Sequence, residues 1–226
     1  MNIFTSLIYE LLYAVILFVW VAAVVLLVSK RFYEAIVDRV SHSVAVYYNR
    51  KLIHILTGAL VAVLVPYLFT TPILPFIFSI VLAVFTYLPH RRGKLFYWFQ
   101  TRDNVYEVHF CITWGLTIAL AWIVFRNYWF GIVPVLFMAV GDGVTGIVRN
   151  MLFKRRTKSW WGNLAMLTVT LPIGAVFGYA GIIASIICSV IEHFEWRFID
   201  DNVTVPLTAF LIVYLFNTYC PKTLTV

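Results

Sequence analysis

Acidic residues at the ends of apolar segments are the part of this sequence best suited to chemistry. Asp142 lies near the end of one long apolar run, Glu192 follows another, and Asp200-Asp201-Asn202 stands directly before the last. Two adjacent carboxylates and an amide oxygen suit Mg²⁺, which prefers hard oxygen ligands and commonly shares its coordination with substrate phosphates. A simple turn with a helix cap is the alternative interpretation of that last segment.

Glycines surround Asp142 in the segment Gly141-Asp-Gly-Val-Thr-Gly146, which formally matches the dinucleotide-binding pattern G-x-G-x-x-G. That fingerprint requires a preceding strand and a βαβ unit, whereas this segment continues a helical apolar run, so we reject a Rossmann site. The glycines instead favour close approach of a backbone, a metal or a phosphate to Asp142, or simply close packing of helices.

A basic segment, Lys154-Arg-Arg-Thr-Lys-Ser-Trp-Trp-Gly-Asn163, leads into the sixth apolar run. It has no glycine loop before Lys158-Ser159 and is therefore not a P-loop. Its four cations adjoin the start of a helix, where free backbone N–H groups favour anions, so the segment suits a triphosphate. The alternative is a basic loop at the membrane surface in which Ser159 or Asn163 caps the helix.

The elements that must position these residues are membrane-spanning helices. Hydrophobic residues make up 62% of the 226 residues and charged residues only 12%, whereas a soluble domain is about half apolar and a quarter charged. With roughly 20 residues per crossing, the sequence predicts an all-α, polytopic membrane helix bundle of about eight transmembrane helices, forming a single domain over residues 1–226. The predicted spans are Leu7–Val28, Leu52–Phe69, Pro72–Pro89, Val108–Phe125, Tyr128–Val148, Asn163–Tyr179, Gly181–Ile199 and Val203–Tyr219.

Lys and Arg fall almost entirely in alternate loops. Of the 17 such residues, only Arg126 and Lys222 lie elsewhere. The positive-inside rule therefore predicts that these loops face the cytoplasm, with both termini on the opposite side of the membrane. Because membrane orientation accounts for the net charge of +7, that charge is not a signal of nucleic-acid binding.

Helix length places several acids within these spans. Tyr128–Val140 holds too few residues to cross a bilayer, so its helix must continue through Asp142. Gly181–Ile191 is likewise short, which places Glu192 and Glu195 at the end of its helix. An acid inside a span costs roughly 3 kcal/mol on insertion scales, so it needs a partner or a purpose. Any single acid of this kind is explained if it neutralises a neighbouring cation. Polar residues at the same depth on several helices, however, predict a functional site.

Five short segments together resemble the CTP-dependent polyprenol kinase family, which includes dolichol kinases and phytol kinases. In chain order they are Arg50-Lys-Leu-Ile-His54, Glu107, Gly141-Asp142-Gly143 with Gly146, Lys158-Ser-Trp-Trp-Gly-Asn-Leu-Ala165, and Glu192 followed by Asp200-Asp-Asn-Val-Thr-Val-Pro206. The resemblance covers residues 50–206, the expected catalytic region on the cytoplasmic side. It implies transfer of the γ-phosphate of CTP to the terminal hydroxyl of a membrane-embedded isoprenoid alcohol (dolichol or another polyprenol, phytol or geranylgeraniol), with Mg²⁺ as cofactor.

On this reading Asp142 and Asp201 hold Mg²⁺ on the triphosphate, and Asn202 and Glu192 support them. His54 or an acid accepts the proton of the hydroxyl, with Asp201 the weaker candidate for that role. The residues expected to bind the nucleotide and its phosphates are Arg50, Lys51, Gly141, Gly143, Gly146, Lys158, Ser159, Gly162 and Asn163, and Glu107 and Asp200 complete the expected site.

Two other functions compete with this one. CDP-lipid synthases, which are cytidylyltransferases, also use CTP in the membrane, but the sequence has no Lys-Asp pair followed by the His-Gly-Gly and Asp-Arg segments that their signature needs. A transporter of a lipid or small anion usually places polar groups near the bilayer midplane. Here the halves of the spans remote from the basic loops are almost uncharged, which disfavours a polar pathway through the membrane.

Overall fold

A bundle of helices accounts for nearly the whole chain. The computed structural model describes residues 3–155, 157–194 and 199–221. It is 83% helix and contains no strands in those ranges, and the predicted all-α class is thereby confirmed. Helices suit a bilayer because each satisfies its own backbone hydrogen bonds where no water is present. Large apolar side chains on the first helix, among them Leu7, Ile8, Leu11, Leu12 and Val15, are exposed on the surface of the bundle, as lipid-facing residues are.

Eleven α-helices follow one another along the described chain. Three of the junctions between them are π-helical turns, so that two α-helices and the turn form one long rod. The helices are α1 (Ile3–Ala23), α2 (Ser29–Ile36), α3 (His42–Ile53), α4 (Leu60–Leu68), α5 (Ile73–Arg92), α6 (Tyr106–Phe125), α7 (Trp129–Leu136), α8 (Asp142–Phe153), α9 (Trp160–Gly174), α10 (Gly178–Ile191) and α11 (Asp201–Tyr219), with π turns at Val24–Val28, His54–Ala59 and Phe137–Gly141.

Among the residues that the structure describes, seven helical stretches are long and apolar enough to cross a membrane, so the predicted count of about eight is not confirmed. The difference lies in the stretch Trp160–Ile191, which is a hairpin of α9 and α10. Its limbs turn at Ala175–Phe177, run antiparallel, and touch at Gly174 and Gly181, where a side chain on either glycine would collide with the backbone of the other. The limbs have 15 and 14 residues, fewer than the roughly 20 that a straight crossing needs.

The hairpin returns the chain to the end of the bundle from which it started. The hydroxyl of Ser185 in α10 donates to the carbonyl of Thr170 in α9 at 2.9 Å. Farther along, the amide nitrogen of Asn163 donates to the carbonyl of Ser189 at 2.5 Å. The basic segment before α9 and Glu192 after α10 therefore meet at one end of the hairpin.

The rod formed by α7, the turn Phe137–Gly141 and α8 occupies the centre of the bundle. Of its most apolar stretch 72% is buried, against 22% for the rods beginning at Leu7 and Ile73. Apolar clusters pack on both sides of it, one containing Trp114 and Ile132 and the other Phe137 and Met166. Asp142 follows directly on the π turn, so the most deeply buried helix carries the central acid.

Two of the three π turns lie at residues expected to do chemistry. One turn begins at His54, three residues after Lys51, and another ends at Gly141, directly before Asp142. A π turn inserts one residue into the helical repeat and thereby changes the face on which later side chains emerge; such turns are frequent at functional sites. We call the end of the bundle that carries Lys51, Asp142 and Glu192 its charged end.

Candidate functional site

Three carboxylates meet at the charged end of the bundle. Asp142 begins α8, Glu192 follows α10 and Asp201 begins α11. One oxygen from each can be chosen so that the three lie within 4.8 Å of one another. Asp142 and Glu192 are buried and Asp201 is half-buried. We call these three residues the carboxylate cluster; it joins Asp142 to two acids that lie 50 or more positions later in the sequence.

Cations pair with each member of the carboxylate cluster. The ammonium of Lys51 lies 2.5 Å from Oδ2 of Asp142. The ammonium of Lys158 lies 3.2 Å from Oε1 of Glu192 and 3.3 Å from Oδ2 of Asp201. Both lysines, which the sequence predicts to bind phosphate, lie beside the acids expected to hold the metal.

Arg149 is a component of the site that sequence reasoning missed. Its guanidinium is almost fully buried and donates to both carboxylate oxygens of Glu192, at 2.7 and 2.8 Å. It also donates to the carbonyl of Ser159 at 3.0 Å and to the side-chain oxygen of Asn163 at 2.8 Å. From the sequence, Arg149 is interpreted only as one of the basic residues that orient the protein in the membrane. Its position seven residues after Asp142, two turns along the same helix face, was the available signal.

Asn163 and Gly162 help to position the guanidinium of Arg149. Asn163 accepts from Arg149 and donates to Oε2 of Glu192 at 3.1 Å, so both ends of its amide are used. A Cβ atom at Gly162 would lie 2.3 Å from Nε of Arg149. The absence of a side chain at Gly162 therefore makes room for the guanidinium. Ser159 precedes α9, and its hydroxyl has no hydrogen-bond partner among the described residues.

The glycines around Asp142 make room for protein side chains. A Cβ atom at Gly146 would lie 2.7 Å from Cε of Lys51, so the missing side chain lets Lys51 reach Asp142. Gly143 faces Ile55 and Gly141 faces Thr170 at similarly short distances. Close packing, one of the two interpretations given above, is thus visible at each glycine.

Arg50 and Glu107 belong to a second polar cluster. Arg50 donates to Oε2 of Glu107 and to the side-chain oxygen of Asn104, both at 2.7 Å. The other oxygen of Glu107 lies 2.6 Å from Nε2 of His90 and accepts from Gln100 at 2.7 Å. This cluster ties α3, α5 and α6 together. The sequence predicts that Arg50 binds phosphate, whereas in the structure Arg50 pairs with Glu107.

His54 stands between the carboxylate cluster and the apolar interior. Its Nδ1 lies 3.8 Å from Oδ2 of Asp142, and its ring stacks on Phe110 at 4.0 Å between centroids. Nδ1 of His54 and Oδ1 of Asp142 are buried and have no hydrogen-bond partner within the described ranges. Such orphaned atoms are rare in native structures, and a metal ion or substrate bound here would give them partners.

Asp200 and Asn202 flank Asp201 but bind each other. The amide nitrogen of Asn202 donates to Oδ2 of Asp200 at 3.0 Å, and Nδ1 of His109 lies 3.3 Å from Oδ1 of Asp200. The side-chain oxygen of Asn202 is buried without a partner among the described residues. Glu195, which we placed beside Glu192, lies outside the described residues.

An apolar chamber of about 310 Å³ opens beside His54. It lies among α1, α3, α4, α5 and α6, and Arg50, His54 and Glu107 form its polar end. Along the rest of its length the walls are mostly apolar, with side chains such as Leu17, Val21, Val61, Phe78, Leu82 and Trp114. His54 is thus shared by the chamber and the carboxylate cluster.

The carboxylate cluster has the donors that Mg²⁺ prefers. Two oxygens bound to one Mg²⁺ at about 2.1 Å are at most about 4.2 Å apart. Oxygens already within 4.8 Å of one another therefore need only small side-chain adjustments to share an ion. The orphaned Oδ1 of Asp142 is also available as a ligand atom, and these residues fit the metal.

No family model, curated protein or solved structure matches this chain.

Proposed function

We propose that this protein is a membrane-embedded kinase that transfers the γ-phosphate of CTP to the hydroxyl of an isoprenoid alcohol. One observation carries the proposal: the buried carboxylate cluster, paired with Lys51 and Lys158, is joined through His54 to an apolar chamber. A metal–phosphate centre next to a hydrocarbon compartment suits a reaction between a water-soluble nucleotide and a lipid. The choice of CTP and of an isoprenoid alcohol rests on the resemblance described above.

Charge balance favours a nucleotide–metal complex over a metal alone. Lys51, Lys158 and Arg149 already offset the charge of the carboxylate cluster. A lone divalent cation would add uncompensated positive charge at a buried position, whereas Mg²⁺ accompanied by a triphosphate brings its own negative charge. Phosphoryl transfer asks mainly for positioning and for neutralisation of phosphate charge, and these residues supply both.

The cations fall into two kinds. Lys51 and Lys158 are flexible point charges that can exchange a carboxylate for a phosphate oxygen. Arg149 is held by Glu192, Asn163 and Ser159, and it keeps Glu192 in place. We therefore assign phosphate binding to the two lysines and positioning to the arginine. Mg²⁺, held by Asp142, Asp201 and Glu192, would neutralise charge on the phosphates.

His54 is the residue best placed to take the proton of the alcohol. It borders the chamber in which the alcohol would lie and stands 3.8 Å from Asp142. In the proposed reaction the alcohol oxygen forms a bond to the γ-phosphorus, the bond between that phosphorus and the bridging oxygen breaks, and CDP leaves. The hydroxyl proton passes to His54. By the positive-inside rule the charged end faces the cytoplasm, where CTP is available.

The test uses purified protein, Mg²⁺ and a panel of isoprenoid alcohols, with CTP labelled on either the γ- or the α-phosphate. We expect γ-label, and not α-label, to enter the lipid, with CTP preferred over ATP. Incorporation of α-label into a phospholipid acceptor would instead identify a CDP-lipid synthase. Accumulation of an unchanged solute in sealed vesicles, without transfer of either label, would identify a transporter.

Substitution of the central acid links that activity to this site. Asp142→Asn should lower turnover by at least about 100-fold, as loss of a single electrostatic contact in an active site commonly does. Asp103→Asn removes an exposed acid from the loop before α6 and should leave turnover unchanged. Near-normal turnover by a folded Asp142→Asn protein would refute the assignment.

A further inference from the structure

The apolar chamber has one polar end. Arg50, His54 and Glu107 form that end, and at the other end lie Val65 and Phe69. The hydroxyl groups along the walls are satisfied within their own helices. Thr57, Ser79 and Thr86 donate to backbone carbonyls three or four residues earlier, at 2.7, 2.7 and 3.0 Å. The chamber therefore presents an apolar wall along its length and offers polar contacts only at its polar end.

Its dimensions suit an extended hydrocarbon chain. Along α5 the lining residues run from Pro75 to Thr86, a rise of about 16 Å. A volume of about 310 Å³ spread over about 16 Å makes the chamber long and narrow, as a site for an extended hydrocarbon chain would be. A length of about 16 Å is close to half of the roughly 30 Å hydrocarbon core of a bilayer, the reach of one lipid tail.

Residues at the far end hold the chamber wall in place. Glu10 in α1 is buried and accepts hydrogen bonds from the backbone N–H and the hydroxyl of Thr70, at 3.2 and 2.6 Å. Thr70 directly follows the lining residue Phe69, and Ala14, which also lines the chamber, is one turn after Glu10. These bonds tie α1 to the turn between α4 and α5 and give the chamber a fixed far end.

We propose that the apolar chamber binds the single hydrocarbon tail of the acceptor alcohol and sets the tail length that the enzyme accepts. The hydroxyl then lies at His54, next to Asp142, and the tail runs toward Val65 and Phe69. A diacyl lipid carries a second tail, and we expect it to compete poorly for the chamber. Geranylgeraniol and phytol, with four isoprene-derived units, are the expected acceptors, and a dolichol is far too long to lie wholly within it. This inference rests on the proposed kinase function.

Fit, and not hydrophobicity, must make the selection. Lipid tails are as apolar as the chamber walls, so moving a tail from the bilayer into the chamber gains little from the hydrophobic effect. A tail that is too short loses only packing contacts. A tail that is too long, or a chamber made too short, forces steric overlap, which typically costs 1–3 kcal/mol. Discrimination should therefore be mild on the short side and steep on the long side.

Enzyme kinetics on a length series test the inference. We would measure kcat/KM for geraniol, farnesol, geranylgeraniol and a dolichol with the unmodified protein and with Ala14→Phe, which adds a ring at the far end of the chamber. The ratio of kcat/KM for geranylgeraniol to that for farnesol should fall by about tenfold in Ala14→Phe, or about 1.4 kcal/mol. Val15→Phe is the matched control, because Val15 is exposed on the lipid side of the same helix, and its ratio should not change. An unchanged ratio in Ala14→Phe would overturn the inference.

Photocrosslinking gives a test that does not depend on catalysis or on a substituted protein. A geranylgeraniol analogue with a diazirine at its distal end is added without nucleotide, and the labelled peptides are mapped by mass spectrometry. We expect label near Val65, Phe69 and Ala14, lost when unlabelled geranylgeraniol is in excess. Label confined to the exposed faces of α1, or displaced equally by phosphatidylcholine, would overturn the inference. Labelling of the chamber without any phosphate transfer would refute the kinase function and support the tail site. Phosphate transfer without length selection or chamber labelling would support the kinase function and refute the tail site.

Discussion

Substitution of Arg149 should markedly lower the stability of the fold. Its guanidinium forms four hydrogen bonds of 2.7 to 3.0 Å to Glu192, Asn163 and Ser159, and only 2% of the residue is exposed. Replacing it by methionine keeps much of the volume but removes the bidentate partner of the buried Glu192, which then retains only the longer contacts with Lys158 and Asn163 among those described. Breaking a buried ion pair from one side costs about 3–5 kcal/mol. For a chain of this size that corresponds to a fall in Tm of about 6–20 °C.

Thermal unfolding in detergent, followed by tryptophan fluorescence, measures this fall directly. Arg31→Met is the matched control, because Arg31 is an exposed arginine in α2, and surface substitutions usually change stability by less than about 0.5 kcal/mol. The double variant Arg149→Met/Glu192→Met removes both charges. We expect it to be more stable than the sum of the two single changes implies, with a coupling of about 0.5–3 kcal/mol.

Two results would refute the reasoning about Arg149. The first is a fall in Tm for Arg149→Met no larger than that for Arg31→Met, which would mean that Glu192 is hydrated and does not depend on the guanidinium. The second is strict additivity in the double variant, which would show that the two residues stabilise the fold independently.

Three further predictions concern neighbouring residues. Gly162→Ala should destabilise the protein by about 1–3 kcal/mol, measured as a fall in Tm, because the new Cβ atom overlaps Arg149. Lys51→Met should lower kcat/KM by at least about 100-fold in the γ-label assay, because Asp142 loses its partner and the phosphates lose a cation. Glu107→Gln should lower Tm, because three donors share that carboxylate, while kcat/KM at low temperature falls much less than in Lys51→Met.

Exposed residues of the same types provide the controls. Lys94→Met and Glu34→Gln change side chains at the surface and should leave both Tm and kcat/KM unaltered. A Gly162→Ala protein as stable as the unmodified one would show that Arg149 moves freely. Full activity of Lys51→Met would remove Lys51 from the phosphate site, and a kinetic defect of Glu107→Gln as large as that of Lys51→Met would place Glu107 in the chemistry.

Several features of this protein follow from the sequence alone, because they depend on local composition and helix length. Long apolar runs satisfy backbone hydrogen bonds only as helices in a bilayer, so the all-α bundle was predictable. Helix length places Asp142 and Glu192 at the ends of spans, and the ligand types of Asp200-Asp201-Asn202 mark Asp201, so the sequence alone indicates the three acids that the structure brings together.

Tertiary packing decided the rest. The sequence predicted a break between two helices within Trp160–Ile191, but only the packing shows that both limbs are short and that Gly174 and Gly181 bring them into contact. Arg149 resembles any basic residue at a membrane boundary until the hairpin brings Glu192 and Asn163 to it. Glu107 can form its ion pair with Arg50 only because α3 and α6 pack side by side. The apolar chamber is the extreme case: it is a volume that five helices leave unfilled, and no single stretch of sequence encodes a space that only their mutual packing defines.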